Sequence, residues 1–297
     1  GAGGLRRLGL ISAEHGPLLG RLVTQVTLPA LIFSTLATTR LAWSESMLAG
    51  VMLLAEAACL GLAWLAARAL RLDGPRTGAL LLASAFGSST MLGYPLVASL
   101  FPADPGAMAE AVIISELGDG PAIFTLGVMA AILEGGMAVT RGARLKEAGR
   151  YFISPIFVSV AAGMLCSALG PLDRHGALAM LFDVLDVAAR ANTFVVVLTV
   201  GALLHFRNLR EAVGPAVAAC LVLLVAQPLL VWAFSLPLDV DAGRRLVLVL
   251  ESAMPSALLS VPLATRYGCD GTLASRLVLA TALASVVTVP LMLGLLG

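Results

Sequence analysis

The sequence predicts an all-α polytopic membrane protein, built as an inverted-repeat transporter fold in which each half has one helix broken by Pro and Gly. Three observations carry this prediction: the composition, the spacing of the apolar stretches, and a repeat that brings the two breaks into register. Of the 297 residues, 59% are hydrophobic and 12% are charged. Soluble domains carry charge on about a quarter of their residues, so this chain has too few polar residues to cover a surface in water.

Nine apolar stretches have about the length that crosses a hydrocarbon core roughly 30 Å thick. They cover residues 17–38, 44–70, 77–101, 106–133, 152–170, 177–205, 211–236, 243–266 and 272–296. The net charge of +1 and the scarcity of aromatic residues give no support for a nucleic-acid partner. Four widely separated cysteines predict neither a disulfide framework nor a metal site, and no cofactor is expected.

The basic residues predict the orientation of the chain. Twelve Lys and Arg residues fall in connectors on one side, against four on the other: Arg40, Arg174, Arg244 and Arg245. By the positive-inside rule, the side with twelve faces the cytoplasm, which places the N-terminus there and the C-terminus in the periplasm of a bacterium. The basic stretch 135–151 is then a cytoplasmic linker, and the expected location is the inner (plasma) membrane.

A shift of 167 residues aligns the two halves of the chain, 1–134 and 152–297. It pairs Ser89 with Ser256 and Pro95 with Pro262 and, allowing small gaps, Asp73 with Asp239. Equivalent connectors lie on opposite sides of the membrane, which is the inverted arrangement of many secondary transporters. The counterpart of span 152–170 would precede residue 1, so we expect four plus five spans here and ten in a complete relative.

Each half has one span with helix-breaking residues at mid-membrane depth. The run from Phe86 to Pro95 contains two glycines and a proline, and span 243–266 contains Pro255 and Pro262. A single break of this kind usually marks a kink. Backbone groups freed at such depth persist only against protein or a wet cavity, and helix N-termini favour anions. The symmetric pair therefore predicts one binding site where the half-helices cross.

Ionisable residues within apolar spans usually face a cavity or a partner, because they are costly to insert. Glu251 stands one turn before Pro255 and is the main candidate for a proton-carrying or substrate-facing carboxylate; the alternative is a cap for the unwound backbone. Glu116 and Asp119 share a helix face, where they could share a proton, hold a cation or make a structural contact.

Other polar residues have weaker predicted roles. Asp186 and Arg190 are four residues apart, a spacing that predicts a structural ion pair. The candidates for lining a transport path are Gln25, Thr27, Asn192 and Thr193, although each alone more often makes a packing contact between helices.

Three motifs resemble, in order and spacing, the auxin-efflux-carrier family of plant auxin carriers and bacterial permeases for malonate and similar acids. They are Val26-Thr27-Leu28-Pro29-Ala30-Leu31-Ile32-Phe33, Leu92-Gly93-Tyr94-Pro95-Leu96 and Ala253-Met254-Pro255-Ser256-Ala257. The resemblance implies two inverted five-helix repeats with a substrate carboxylate near the crossover. Residue 88 is serine, where the family usually has an asparagine that contacts substrate. The substrate-binding residues that the resemblance implies are Ser88, Ser89, Gly93, Pro95, Pro255 and Ser256.

The expected function is a secondary transporter that moves a small organic anion, such as malonate or an auxin-like acid, by alternating access. Either H+ or Na+ could be the coupling ion. The expected surrounding is the lipid bilayer, and the sequence is compatible with a homodimer. The alternatives are a sodium-coupled symporter of the bile-acid type and a non-transporting membrane sensor. An enzyme is not expected, because the order of Gly118-Asp119-Gly120 is wrong for an aspartyl hydrolase site and no serine or zinc hydrolase motif occurs.

Overall fold

The structure, a computed structural model, describes residues 16–40, 43–136, 149, 152–174, 176–203 and 212–296. Within these residues every regular element is helical, as the composition predicts, and each of the nine predicted spans contains a helix or two half-helices. Five helices are long and apolar enough to cross a membrane: Leu18–Thr38, Met47–Ala69, Gly106–Glu134, Val213–Ser235 and Gly271–Leu296. The chain is therefore a polytopic α-helical membrane protein.

Within the described residues, the first half supplies four helices, several of which contain wide π turns. They are α1 (Gly16–Leu22, Val23–Thr27 and Leu28–Thr38), α2 (Trp43–Ala69), the broken α3 (α3a, Gly74–Ala85; α3b, Ser89–Gly93 and Tyr94–Leu100) and α4 (Pro105–Ile113, Ile114–Asp119, Gly120–Ala122, Ile123–Gly127 and Val128–Glu134). The π turns are Val23–Thr27, Ser89–Gly93, Ile114–Asp119 and Ile123–Gly127. Such turns are rare and often lie at functional sites.

The second half supplies five helices in the described residues. They are α5 (Pro155–Leu169), α6 (Ala179–Leu203), α7 (Val213–Leu221, Val222–Ala226 and Gln227–Ser235), the broken α8 (α8a, Ala242–Ser252; α8b, Ser260–Arg266) and α9 (Gly271–Leu296). In both halves the broken helix stands directly before the last helix. This order agrees with the predicted repeat.

Both broken helices begin at an aspartate cap. The Asp73 carboxylate accepts a hydrogen bond from the backbone N–H of Arg76 at 3.0 Å, and Asp241 accepts one from Arg244 at 3.0 Å. The alignment with Asp239 as the counterpart of Asp73 is therefore corrected to Asp241. A cap must stand immediately before the first helical residue, a position that gapped matching of apolar sequences does not locate.

The helical backbone is interrupted at residues 86–88 in α3 and at residues 253–259 in α8. The first break is narrower than the predicted run from Phe86 to Pro95. Pro95 lies inside α3b, directly after the π turn Ser89–Gly93, and does not interrupt the helix. The glycine and serine residues before Ser89 are therefore the ones that take up the extended backbone.

The chain divides into two compact units, and each draws on both halves of the sequence. Unit 1 comprises Gly1–Ala42, Tyr94–Ala109 and Phe152–Leu204; unit 2 comprises Trp43–Gly93, Glu110–Tyr151 and His205–Gly297. In unit 1, α1 packs closely against α5, where a Cβ atom on Gly163 would lie 2.7 Å from the Cβ of Leu36. In unit 2, α2 and α9 both pack against α3a, and α7 packs against α8a.

Unit 1 contains an ion pair that differs from the predicted one. Nη1 of Arg174 lies 2.9 Å from Oδ2 of Asp186, and Nη2 donates to the carbonyl oxygen of Ser34 at 3.1 Å. The prediction that Asp186 pairs with Arg190 is therefore wrong. Arg174 lies in the connector between α5 and α6, and helix periodicity gives no information about a partner in a connector.

Candidate substrate and proton site

The two breaks meet inside unit 2 as a short antiparallel pair. The N–H of Ser88 donates to the carbonyl oxygen of Pro255 at 2.7 Å, and the N–H of Ala257 donates to that of Phe86 at 2.9 Å. These bonds give partners to backbone groups that the interrupted helices leave open, as an apolar environment requires. The predicted crossing of two broken helices is confirmed.

The antiparallel pair is centred on Gly87 and Ser256, which are 169 residues apart. Gly87 lies opposite Ser256, and the same register places Ser88 opposite Pro255. Ser88 and Pro255 are 167 residues apart, which is the shift that aligns the two halves. In each paired segment, the centre of the pair therefore lies one residue from the position that the predicted repeat gives.

Glu251 is the buried carboxyl at the end of α8a. It is fully buried, and neither of its carboxylate oxygens has a hydrogen-bond partner. The carboxyl lies directly on Gly93, where a Cβ atom would be 2.6 Å from Oε1 and 2.7 Å from Cδ of Glu251. Position 93 is therefore glycine for reasons of space, since any side chain would displace Glu251.

Three more carboxyl groups are buried near Glu251. Asp119 and Glu116 of α4 interact with it electrostatically, and Glu56 of α2 lies close enough to Asp119 to share a proton. Glu56, Asp119 and Glu251 form no ion pair within the part of the chain that the structure describes. An unpaired carboxylate in such surroundings is strongly disfavoured, so this cluster is suited to binding protons.

Hydroxyl groups connect two of these carboxyls. Ser89 Oγ donates to Asp119 Oδ2 at 2.7 Å, and Thr90 Oγ1 donates to Glu116 Oε1 at 3.3 Å. Between them, Ser115 Oγ lies 3.0 Å from Ser89 Oγ and 2.9 Å from Thr90 Oγ1. The two π turns place these side chains together, because Ser89 and Thr90 open one turn and the other contains Ser115, Glu116 and Asp119.

Nearly the whole chain matches one family of membrane proteins. A family model described as membrane transport protein matches residues 3–142 and 139–293. The chain belongs to this family. The resemblance to auxin efflux carriers is thereby confirmed, and the protein is a multi-pass membrane transporter.

Two archaeal relatives agree with the family. An uncharacterized transporter of Methanothermobacter thermautotrophicus is 29% identical over 290 residues, which cover 97% of this chain and 91% of the relative. An uncharacterized transporter of Methanocaldococcus jannaschii is 23% identical over 269 residues, which cover 88% of this chain and 83% of the relative. Their names support transport and specify no substrate.

Eight of the thirteen predicted site residues of this transporter belong to unit 2. The backbone N–H of Ser256 donates to Oγ1 of Thr281 at 3.2 Å, while its own hydroxyl is buried without a partner. Thr90 and Ser115 were not predicted, although the i, i+4 spacing of Ser115 and Asp119 was visible in the sequence. The eight are Ser88, Ser89, Gly93, Glu116, Asp119, Glu251, Pro255 and Ser256.

The other five predicted residues belong to unit 1. Thr27 Oγ1 donates to Asn192 Oδ1 at 2.7 Å between α1 and α6, and both residues are buried. Gln25 is exposed on α1, and Pro95 lies in the segment Tyr94–Ala109. The side chain of Thr193 lies outside the described residues. A role for these five in the transport path stays a prediction.

Proposed function

We propose that this transporter is a proton-coupled secondary carrier that moves a small organic anion, a carboxylate such as malonate or an auxin-like acid, by alternating access. It would act in the inner (plasma) membrane with its N-terminus in the cytoplasm and its C-terminus in the periplasm. The observation that carries the proposal is Glu251, a buried carboxyl with unpaired oxygens that is held against Gly93 beside the backbone crossing.

Electrostatics link the proton to the anion. Two unit charges about 4 Å apart interact by about 4 kcal/mol at an effective dielectric constant of about 20. An ionised Glu251 would therefore repel a carboxylate at the crossing, whereas a protonated Glu251 could donate a hydrogen bond to it. In this proposal, protonation of Glu251 and binding of the anion favour each other.

The crossing also provides neutral groups for the anion. Ser88 and Ser256 bring hydroxyl groups to the two paired segments, and the Ser256 hydroxyl is buried without a partner. The backbone N–H groups of residues 89–91 at the start of α3b have no preceding helical carbonyl to donate to, and a helix N-terminus attracts negative charge. We infer that the substrate carboxylate binds between these groups and Glu251.

The test is uptake of radiolabelled malonate and indole-3-acetate into proteoliposomes under an imposed pH gradient or Na+ gradient. We expect the pH gradient to drive uptake and the variant Glu251→Gln to lose this stimulation by at least about tenfold, equivalent to about 1.4 kcal/mol. The matched control is Ser84→Ala, which changes the repeat counterpart of Glu251 and should keep the response.

Three other results would contradict part of this proposal. Equal pH stimulation of Glu251→Gln and the wild type would exclude Glu251 as the proton carrier. Uptake that follows only the Na+ gradient would show that the coupling ion is Na+ and not H+. Saturable binding of a carboxylate, without uptake under either gradient, would favour the membrane sensor over the carrier.

A further inference from the structure

We propose that Asp119, Ser89, Ser115, Thr90 and Glu116 form a proton wire that holds one extra proton and passes it between its two terminal carboxyl groups. This inference rests on the proposed function, because the wire would serve the coupling proton. It adds Ser89, Ser115 and Thr90 as proton-carrying groups in addition to Glu251.

The five side chains lack one hydrogen when both carboxyl groups are ionised. Five groups are joined by four contacts of 2.7, 3.0, 2.9 and 3.3 Å, and the three hydroxyl groups supply three hydrogens. If both carboxyls are ionised, Ser89 and Thr90 donate outward to them, and Ser115 can donate to only one of its two neighbours. One contact then has two oxygens facing each other without a hydrogen. One additional proton on either carboxyl fills all four contacts.

That additional proton can occupy either end. With Glu116 protonated, Glu116 donates to Thr90, Thr90 to Ser115, Ser115 to Ser89, and Ser89 to the Asp119 carboxylate. When each group passes its hydrogen along, every hydroxyl loses one hydrogen and gains one, and the proton ends on Asp119. All four hydrogen bonds are then present in the opposite direction, so the transfer leaves no charge on a hydroxyl group.

The surroundings favour storage and movement of this proton. Ser89, Ser115, Glu116 and Asp119 are all at most 7% exposed, which excludes bulk water from most of the chain. Oδ1 of Asp119 is buried without a hydrogen-bond partner, and the Glu56 carboxyl lies beside it. Glu56 of α2 is thus a second buried carboxyl group at the Asp119 end of the wire.

The carboxyl groups that face the wire come from three helices. Glu116 and Asp119 lie on α4, Glu56 faces Asp119 from α2, and Glu251 acts on both wire carboxyls from α8a. An ionised Glu251 would hold the extra proton on the wire by attraction, and a protonated Glu251 would release it more readily. The charge of Glu251 therefore affects how strongly the wire holds its proton.

The contact between Thr90 and Glu116 is where the wire would open. At 3.3 Å it is the longest of the four contacts, whereas Ser89 and Asp119 are separated by 2.7 Å. Hydroxyl-to-carboxylate bonds are usually shorter than about 3.0 Å. A small shift of α3b against α4 would break this bond first and leave the other three intact.

Infrared difference spectroscopy of the reconstituted full chain tests the proton count without any substrate. In Ser115→Ala, the remaining hydroxyls of Ser89 and Thr90 serve one carboxylate each, so no extra proton is needed. We expect the carboxylic-acid carbonyl band at neutral pH to fall by one group per chain relative to the wild type. The control is Ser252→Ala, a buried serine that bonds to its own helix and should leave the band unchanged.

Asp119→Asn is a second variant that preserves shape and does not depend on the folding of Ser115→Ala. Its amide can donate to Ser89 in place of the extra proton, so the same one-group loss is expected. An unchanged acid band in the folded Ser115→Ala and Asp119→Asn proteins would overturn the wire, as would an equal loss in Ser252→Ala.

Transport measurements separate this proposal from the proposed function. With the wire cut in Ser115→Ala, we expect pH-driven uptake of malonate to fall by about tenfold, while substrate counterflow, which needs no net proton movement, is retained. Normal pH-driven uptake in this variant would overturn the wire and leave the carrier function standing. Loss of the acid band in a chain that transports no carboxylate would support the wire and refute the carrier.

Discussion

Glu251 lies at the end of α8a beside the crossing. The 167-residue shift aligns it with Ser84, at the end of α3a. Both are completely buried. Opposite Glu251 lies Gly93, and the repeat counterpart of Gly93 is Ser260, whose hydroxyl donates to the carbonyl oxygen of Leu82 at 2.9 Å. The crossing therefore has an acidic end at Glu251 and a neutral end at Ser84.

This difference separates two kinds of requirement. The backbone pairing must satisfy N–H and C=O groups in an apolar environment, and a symmetric arrangement does so equally well for both copies. A coupling site needs a carboxyl group that changes its charge once, and a second buried acid at the opposite end would only add a desolvation cost. The predicted repeat thus concerns the backbone of the two breaks, while the buried side chains beside them differ.

The strongest test of the comparison is to place an acid at the neutral end. We expect Ser84→Glu to destabilise the protein by about 2.5 to 3.5 kcal/mol, because residue 84 is completely buried and a carboxyl group is costly in an apolar span. Thermal unfolding in detergent, followed by size-exclusion fluorescence, measures the loss. Ser84→Ala is the control, and a Ser84→Glu protein as stable as the wild type would show that the two ends are equally able to hold an acid.

A smaller effect is expected from filling the space at the acidic end. Gly93→Ala places a methyl group against the Glu251 carboxyl, and overpacking of this kind costs about 1–3 kcal/mol. We expect a lower unfolding temperature and a reduced pH response of malonate uptake. Gly61→Ala on α2 is the control, because a Cβ atom there has no neighbour within 4 Å. If both alanine variants behave alike, Gly93 does not confine Glu251.

The smallest effect is expected from Ser260→Ala at the neutral end. The variant loses one hydrogen bond, from the Ser260 hydroxyl to Leu82, which is worth about 1 kcal/mol. The carbonyl of Leu82 can still accept from its own helix, so we expect a slightly lower unfolding temperature and an unchanged pH dependence of uptake. A change in the pH dependence would mean that the neutral end takes part in coupling.

Much of this fold could be predicted because its determinants are local. The apolar spans show that the chain is surrounded by lipid. The prolines and glycines around Pro95 and Pro255 show that two helices are interrupted. The repeat then predicts that the interruptions meet, and they do so at Ser88 and Pro255. Glu251 could be singled out because a carboxyl in an apolar span beside a break is rare.

Other features depend on distant partners that no local pattern reveals. Arg174 reaches Asp186 from a connector, and Ser115 reaches Ser89 and Thr90 only because two π turns rotate these side chains toward each other. Serine and threonine in membrane helices usually bond to their own backbone, so their sequence positions carry no sign of a shared chain. The sequence by itself determined the membrane class, the family and the two breaks. The tertiary structure decided which hydroxyls lie between the carboxyls and which end of the crossing is acidic, because hydrogen bonds over such separations exist only when the helices have packed.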